Sequence, residues 1–278
     1  MFGAIVASFA YGGGVLVDKI VLGKQKYPIK NFIPILFIGL AIITALILPK
    51  WGGYNKELFL TQKYIFLFIL MIVVAVCWNI FYYRGLQKEE LHEFELIMLL
   101  SPLATIVFAA IFLSSERDLS IVIPGVVSAM ALVLTKIKKH HLVIGKAAKQ
   151  TILGMLLMSF ELIIIRELLD IYSPASLYFI RTFILAVVFL FLYRPKFVSN
   201  TKTIGLIFVS SLLGVIQMVL KFYGFKNIGV IETTMILLFG PFLVYLVSGI
   251  WLKEKILSRD VFAVSVVAAC VLYVTIGR

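Results

Sequence analysis

Residues 93–102 read Glu-Phe-Glu-Leu-Ile-Met-Leu-Leu-Ser-Pro, and residues 232–241 read Glu-Thr-Thr-Met-Ile-Leu-Leu-Phe-Gly-Pro. The two stretches lie 139 positions apart and share an acid at the start, an apolar run and a closing proline. The same offset pairs Gly85 with Gly224. Matched leucines mean little in apolar sequence, but matched charges, prolines and glycines are informative. We therefore predict that the chain contains one unit repeated once.

The composition indicates that most of the chain lies in lipid. Of its 278 residues, 62% are hydrophobic and only 14% are charged, whereas roughly a quarter are charged in a soluble domain. Apolar runs of about 20 residues, the length that crosses a bilayer, recur ten times between short polar breaks. We therefore expect an all-α integral membrane protein that spans the cell membrane many times. The predicted spans are residues 2–23, 31–49, 64–84, 91–113, 119–136, 150–170, 174–194, 203–224, 229–252 and 260–277.

The longest and most basic break, from Lys136 to Lys149, divides the spans into two groups of five. We predict a first repeat over residues 1–138, a basic linker over 139–149 and a second repeat over 150–278. An odd number of spans in each half inserts the second half upside down relative to the first. The expected architecture is ten transmembrane helices in two inverted five-helix repeats, an arrangement typical of transporters.

The formal net charge of +12 does not by itself indicate nucleic-acid binding. Lys and Arg occur mainly in the short breaks, where such residues orient membrane proteins. The positive-inside rule, applied to these breaks, places both termini outside the cytoplasm. The sequence has no phosphate-binding loop, nucleophile elbow or metal-ligand spacing. We therefore expect no enzyme activity, no catalytic residue, no cofactor, no metal and no nucleic-acid partner.

Two helical faces that correspond under the offset carry small and polar residues. Trp78, Tyr82 and Gly85 share a face of the third span, and Gln217 lies on the matching face of the eighth. Such faces contact protein or water rather than lipid. Aromatic rings with polar atoms suit flat organic solutes, and helix packing is the alternative role. Lys221, near the end of the eighth face, is expected to extend to the membrane surface.

Tyr11 and Glu95 are further candidates for solute binding. Tyr11 precedes three glycines, which permit close helix approach or local bending. Glu95 lies seven residues before Pro102 and so shares a helix face with it. The alternative for Glu95, and the preferred interpretation for Glu93 and Glu232, is an acid placed near a helix N-terminus.

Glu161 lies near the middle of the sixth span, where a carboxylate is costly unless it is paired or protonated. Two roles are open for it. One is proton coupling or solute binding, and the other is a structural ion pair with Arg181. The short turn from Asp170 to Pro174 places Glu161 and Arg181 at similar depth, about 3 Å apart along the membrane normal. Glu167 is a competing partner for the arginine.

These features resemble the ten-span members of the drug/metabolite transporter superfamily, which are built from two EamA-like repeats. Pro28 and Pro174 open the second span of each half. Arg181 resembles the arginine typical of that span, whereas the first half has Ile35 near that place. Each half also has a glycine-containing turn after its third span, a proline in its fourth span and an acid closing that span. These are Gly85 and Gly224, Pro102 and Pro241, and Glu116 and Glu254.

The resemblance implies transport of small metabolites or drugs by alternating access, usually as export and often driven by protons. The expected partners are a small-molecule solute, membrane lipid and a coupling proton, in a monomer or a homodimer. Glu161, Arg181, Trp78, Tyr82, Gln217, Glu95 and Tyr11 are the candidate solute-binding residues, and Gly85, Gly224, Pro102 and Pro241 are candidate helix breaks for gating. The site is expected between the first, third, fourth, sixth, eighth and ninth spans.

Two other functions are considered, and the predicted membrane orientation disagrees with that of the family. A membrane-embedded enzyme acting on lipid-linked substrates would need convergent acids, histidines or metal ligands at one membrane face. A non-transporting scaffold or sensor has no need of polar faces at matched depth. The family usually keeps both termini in the cytoplasm, which is opposite to the orientation that the loop charges favour. Both orientations remain open.

Overall fold

The computed structural model describes residues 2–55, 61–88, 94, 97–98, 100–136, 146–195, 201–238 and 258–276. This part of the chain forms ten helices and contains no β-strand, only an isolated bridge between Tyr54 and Tyr172. The all-α fold predicted from the sequence is confirmed. The helices are α1 (Phe2–Lys19), continued by a π-helical turn (Ile20–Lys24), α2 (Ile29–Trp51), α3 (Gln62–Lys88), α4 (Leu100–Phe112), α5 (Leu119–Lys136), α6 (Lys146–Leu168), α7 (Pro174–Tyr193), α8 (Thr201–Asn227), α9 (Val230–Leu237) and α10 (Ser258–Ile276).

The outer surface of the helices is apolar. By length and composition, α1 with its π-helical turn, α2, α3, α7 and α8 can each cross a membrane. The described parts of α4, α5 and α10 contain shorter apolar segments. Phe2, Leu46 and Phe191 are 81%, 76% and 79% exposed. An exterior of this kind is favourable in lipid and unfavourable in water, as expected for a multi-pass membrane protein.

Two prolines open corresponding helices, as the sequence predicted. α2 begins directly after Pro28, whose ψ of 129° is extended, and α7 begins at Pro174. Proline is favoured in a first helical turn because its missing N–H would have no partner there. The Ser173 side chain caps α7 by accepting a hydrogen bond from the backbone N–H of Ser176. Arg181 therefore lies two turns inside α7, at the depth expected from the sequence.

The helix packing repeats between the two halves. α1 packs along α8, and its counterpart α6 packs along α3. α1 also contacts α9, just as α6 contacts α4, while α2 packs on α7 and α5 packs on α10. Exchanging α1–α5 with α6–α10 leaves this pattern unchanged. The contacts thus have the pseudo-twofold symmetry expected of two repeats, and they join the halves at several helix pairs.

The repeat extends to individual hydrogen bonds at the helix ends. Gln87, near the end of α3, donates a side-chain hydrogen bond to the backbone carbonyl of Tyr27, 3.3 Å away. Lys226, at the corresponding place in α8, donates to the carbonyl of Tyr172, 3.1 Å away. Tyr27 directly precedes Pro28, and Tyr172 lies two residues before Pro174, the prolines that open the second helix of each half. Each half therefore fixes the start of its second helix against the end of its third.

Gly85 and Gly224 lie inside α3 and α8, so the expectation that they form turns or helix breaks is wrong. Both helices continue for three more residues. A side chain at Gly85 would collide with the hydroxyl of Thr151 on α6. A side chain at Gly224 would collide with Thr233 on α9. The physical reason for both glycines is close helix contact, which requires the absence of a side chain rather than a special backbone angle.

Two other expectations differ in detail. Pro102 lies near the start of α4, and Ile97 and Met98 before it are also helical, so the described residues show no break there. Neighbouring helices can compensate for the backbone bond that a proline loses. α6 begins at Lys146, inside the stretch of residues 139–149 that the sequence was expected to use as a linker. Pro241 and Glu254 lie outside the described residues.

Glu116 joins the two halves at one end of the bundle. It lies in a short 3₁₀ turn after α4 and is 6% exposed. Its carboxylate oxygens accept hydrogen bonds from the backbone N–H groups of Val230 (2.7 Å) and Ile231 (3.2 Å) at the start of α9. Gly229 has a φ of +94°, and a side chain there would meet Glu116 Oε1. The acid that closes the fourth span is therefore an N-terminal cap for the ninth.

We expect replacement of Glu116 by Ala to destabilise the protein, because two buried N–H groups of α9 lose their acceptor. Loss of a helix cap costs about 0.5–2 kcal/mol. Thermal unfolding of the purified protein in detergent measures the effect, with Glu167→Gln at an exposed ion pair as the matched control. An unfolding temperature for Glu116→Ala equal to that of the control would contradict this role.

Candidate functional site

A cavity of about 200 Å³ lies between the two halves and is lined by residues of both. The lining residues come from α1 to α4, from Met98 just before α4, from the corresponding helices α6 to α9, and from Leu238. The second and seventh helices thus contribute in addition to the six spans that the sequence predicted. Among the described residues, those of α5 and α10 do not reach the cavity. The polar lining residues are Ser8, Tyr11, Asp18, Trp78, Asn79, Tyr82, Tyr83, Ser101, Thr105, Glu161, Tyr178, Arg181, Ser210, Gln217, Lys221 and Thr234.

The structure brings most of the sequence-predicted site residues to this cavity. Those that line it are Tyr11, Trp78, Tyr82, Pro102, Glu161, Arg181 and Gln217. Gly85 and Gly224 are buried in helix contacts and do not line the cavity. Glu232 lies in the first turn of α9, away from the cavity lining, as expected for an acid at a helix N-terminus. Glu95 and Pro241 lie outside the described residues.

Glu161 and Arg181 form a buried ion pair. Arg181 Nε donates to Glu161 Oε1 at 2.6 Å, and an Arg181 terminal nitrogen donates to Oε2 at 3.0 Å. The two side chains are 1% and 3% exposed. This two-point contact is the strongest form of carboxylate–guanidinium pairing. The competing partner Glu167 instead accepts from Lys63 at 2.7 Å near the surface.

Trp78 extends the ion pair into a network of three helices. Its indole N–H donates to Glu161 Oε2 at 2.5 Å, and the Arg181 guanidinium lies 5.8 Å from its ring centroid. Trp78 also packs edge-on against Tyr82, which in turn packs edge-on against Phe94. The network therefore holds α3, α6 and α7 together, and its Trp78–Glu161 bond crosses between the two halves. Both oxygens of Glu161 are occupied by donors.

Asp18 is a cavity residue that the sequence analysis missed. It lies on α1, is 6% exposed and accepts a hydrogen bond from the Ser210 hydroxyl on α8 at 2.5 Å. The sequence placed it near the end of a span beside Lys19, where charged residues are common. Lys19 instead turns away and donates to the Leu86 carbonyl at 2.7 Å. A useful signal was available, because Ser210 lies seven residues before Gln217 and so shares the polar face of the eighth span.

Lys221 also lines the cavity, so the expectation that it extends to the membrane surface is wrong. Its ammonium lies 5.5 Å from the ring centroid of Phe225, one turn further along α8. Within the described ranges it forms no ion pair. The stem of a lysine can cross apolar packing so that its ammonium reaches the membrane surface. Here the polar wall of the cavity offers the ammonium a nearer polar environment. Ser210, Gly214, Gln217 and Lys221 together form one continuous face of α8 toward the cavity.

Comparisons with known proteins agree with this architecture. Among solved structures, 29 chains match, and one crystal structure aligns with a TM-score of 0.69 and 13% identity over 97% of each chain. At this identity the likeness shows the fold alone. A comparison with curated proteins found no match. The family model described as "EamA-like transporter family" matches residues 1–137 and 146–276. Because these two matches cover nearly the whole chain as two repeats, the chain belongs to the EamA-like transporter family.

Proposed function

We propose that this protein is a secondary transporter that exports a small organic solute across the cell membrane by alternating access, with proton coupling. The observation that carries the proposal is the cavity lined by the same four helices of each half. Solute sites of repeat-built transporters lie at such an interface, where one half moves against the other. A scaffold or sensor would not need a polar cavity shared between two halves.

The size of the cavity favours a small metabolite. Pockets for drug-sized ligands measure about 300–1,000 Å³, whereas this cavity measures about 200 Å³. Trp78 and Tyr82 offer ring edges and faces to a flat or apolar group. We therefore favour a metabolite over a bulky drug as the solute.

The charges of the cavity indicate a solute that carries a hydrogen-bond acceptor. Arg181 is paired with Glu161, whereas Lys221 and the oppositely charged Asp18 each have no ion pair among the described residues. An ammonium in a partly apolar cavity gains from a carbonyl, carboxylate or sulfonate oxygen. We therefore favour an anionic or zwitterionic solute over a purely cationic one.

The competing enzyme hypothesis has less support. An enzyme acting on lipid-linked substrates needs convergent acids, histidines or metal ligands. Among the described residues, no group of three His, Cys, Asp or Glu side chains is placed to hold a metal ion. Members of the family are transporters, and the shared cavity fits that role directly.

The transporter proposal is tested by solute flux into proteoliposomes. We expect benzenesulfonate or phenylalanine, as an anionic and a zwitterionic probe, to enter faster than in protein-free vesicles. Choline serves as the cationic comparison, and each probe is measured with and without a pH gradient. Rates equal to those of protein-free vesicles for every probe would contradict the proposal.

Breaking the buried ion pair should destabilise the protein more than removing it. We expect Glu161→Gln to lower the unfolding temperature and the yield, because Arg181 becomes a buried unpaired charge at a cost of about 3–5 kcal/mol. The double variant Glu161→Gln/Arg181→Gln should regain part of that loss. Glu167→Gln, which removes an exposed pair, should change stability by about 1 kcal/mol or less. A Glu161→Gln protein as stable as the Glu167→Gln control would contradict a structural pair.

Lys221 should select for anionic solutes. We expect Lys221→Gln to raise the KM for benzenesulfonate about tenfold or more, since a hydrogen bond to a charged group contributes about 1.5–3 kcal/mol. Lys221→Arg should retain most of the affinity, and Lys63→Gln is the surface control. An equal effect of Lys221→Gln on benzenesulfonate and choline would refute selection by charge.

A further inference from the structure

Asp18 differs from the other buried carboxylate of the cavity in having no cation partner. Its carboxylate accepts a hydrogen bond from the Ser210 hydroxyl, and no Lys or Arg among the described residues forms an ion pair with it. At 6% exposure, an ionised carboxylate with one hydroxyl donor is poorly compensated. A group in this situation is stabilised by binding a positive charge.

The difference between Asp18 and Glu161 follows from a comparison of the two halves. In each half the first helix carries one buried carboxylate that accepts a hydrogen bond from the third helix of the other half: Asp18 from Ser210, and Glu161 from Trp78. The second helix then breaks the symmetry. α7 supplies Arg181 to Glu161, whereas α2 lines the cavity only with apolar side chains. These are Leu36, Phe37 and Leu40. Glu161 is paired with a guanidinium, and its counterpart Asp18 has no cation partner among the described residues.

Protonation has different consequences at the two sites. A proton on Glu161 would displace a guanidinium hydrogen bond and leave Arg181 as a buried, uncompensated charge. A proton on Asp18 disrupts no ion pair, because the Ser210 hydroxyl can donate to the ionised carboxylate or accept from the protonated one. Protonation of Asp18 therefore leaves its contacts within the fold intact, whereas protonation of Glu161 would break a contact to Arg181.

Among the described residues that line the cavity, Asp18 is the carboxylate without a cation partner, and Lys221 is the cation without an ion pair. On the same helix as Asp18, Lys19 is directed to the Leu86 carbonyl, and Tyr83 of α3 lies within electrostatic range of Asp18. Glu232 of α9 lies away from the cavity lining. The other charged or titratable side chains that line the cavity are Tyr11 of α1, Tyr82 of α3, Glu161 of α6, Tyr178 and Arg181 of α7, and Lys221 of α8.

A proton fits this site better than a metal ion does. A hard cation needs several oxygen ligands, in transporters often from unwound backbone. The backbone beside Asp18 is helical on both sides, continuing from α1 into the π-helical turn Ile20–Lys24. The described residues contain no group of three His, Cys, Asp or Glu side chains placed to hold a metal ion.

We propose that Asp18 and Ser210 form the site where this transporter takes up and releases its coupling proton. This inference rests on the transporter function proposed above and assigns its proton to a residue. The Asp18–Ser210 bond joins α1 of one half to α8 of the other. A charge-assisted bond is about twice as strong as a neutral one, so the ionised carboxylate holds the halves together more firmly. Protonation weakens this contact and favours movement of one half against the other.

Infrared spectroscopy tests the site without any transport. Purified protein in lipid is titrated from alkaline to acid pH, and the carboxylic acid C=O stretch is followed. We expect a wild-type band that Asp18→Asn removes, that Ser210→Ala moves to a different frequency, and that Glu167→Gln leaves unchanged. If Asp18→Asn fails to fold, Asp18→Glu must retain a band at a changed frequency. A band that persists in Asp18→Asn, or that Glu161→Gln removes instead, overturns the proposal.

Proteoliposomes test whether that proton drives flux, with benzenesulfonate, phenylalanine and choline as probes. We expect a pH gradient to stimulate wild-type flux, and Asp18→Asn to lose the stimulation while retaining downhill flux of the same probe. Stimulation by a sodium gradient instead, or Asp18→Asn flux that still responds to pH, overturns the assignment. Absence of all wild-type flux with the infrared band intact counts against the transporter function rather than against the protonation of Asp18.

Discussion

A buried charge in a membrane protein must be compensated within the protein, and the Glu161–Arg181–Trp78 network is where this constraint acts most strongly. The network needs three helices at fixed depth: α6 for the carboxylate, α7 for the guanidinium and α3 for the indole. The turn before Pro174 sets the depth of α7, and Gly85 of α3 lets that helix approach Thr151 on α6 of the other half closely. The cavity is the space that remains beside this network.

The same constraint explains why two similar halves can carry different roles. Both first helices present a carboxylate to the third helix of the other half, but only the second half supplies an arginine. In the proposed mechanism, Glu161 is part of the rigid frame and Asp18 is the carboxylate whose charge changes. The two halves of the bundle would then be joined by one rigid contact, at Glu161, and by one contact whose strength changes with protonation, at Asp18. Movement about the rigid contact is compatible with opening the cavity to alternate sides.

The sequence predicted those features that depend on spacing and on the cost of charge in lipid. Helical spacing identified the α8 face, and equal depth from a short turn made the Glu161–Arg181 pair one of the two roles considered for Glu161. Gly85 and Gly224 were wrongly assigned to turns, because a glycine in a single sequence is equally compatible with a turn and with a close helix contact. Asp18 was missed because its partner lies on a helix 192 positions away. The cap that Glu116 provides to α9 depends on a similarly long-range contact.

The central claim is that the cavity between the halves opens to each side of the membrane in turn. Gln217 lines that cavity, and the two natural cysteines, Cys77 and Cys270, can be replaced by serine to leave a single reporter. Gln217→Cys in this background should react with a membrane-impermeant thiol reagent added to right-side-out vesicles and also when added to inverted vesicles. Reaction from one side only, or from neither, would contradict alternating access through this cavity.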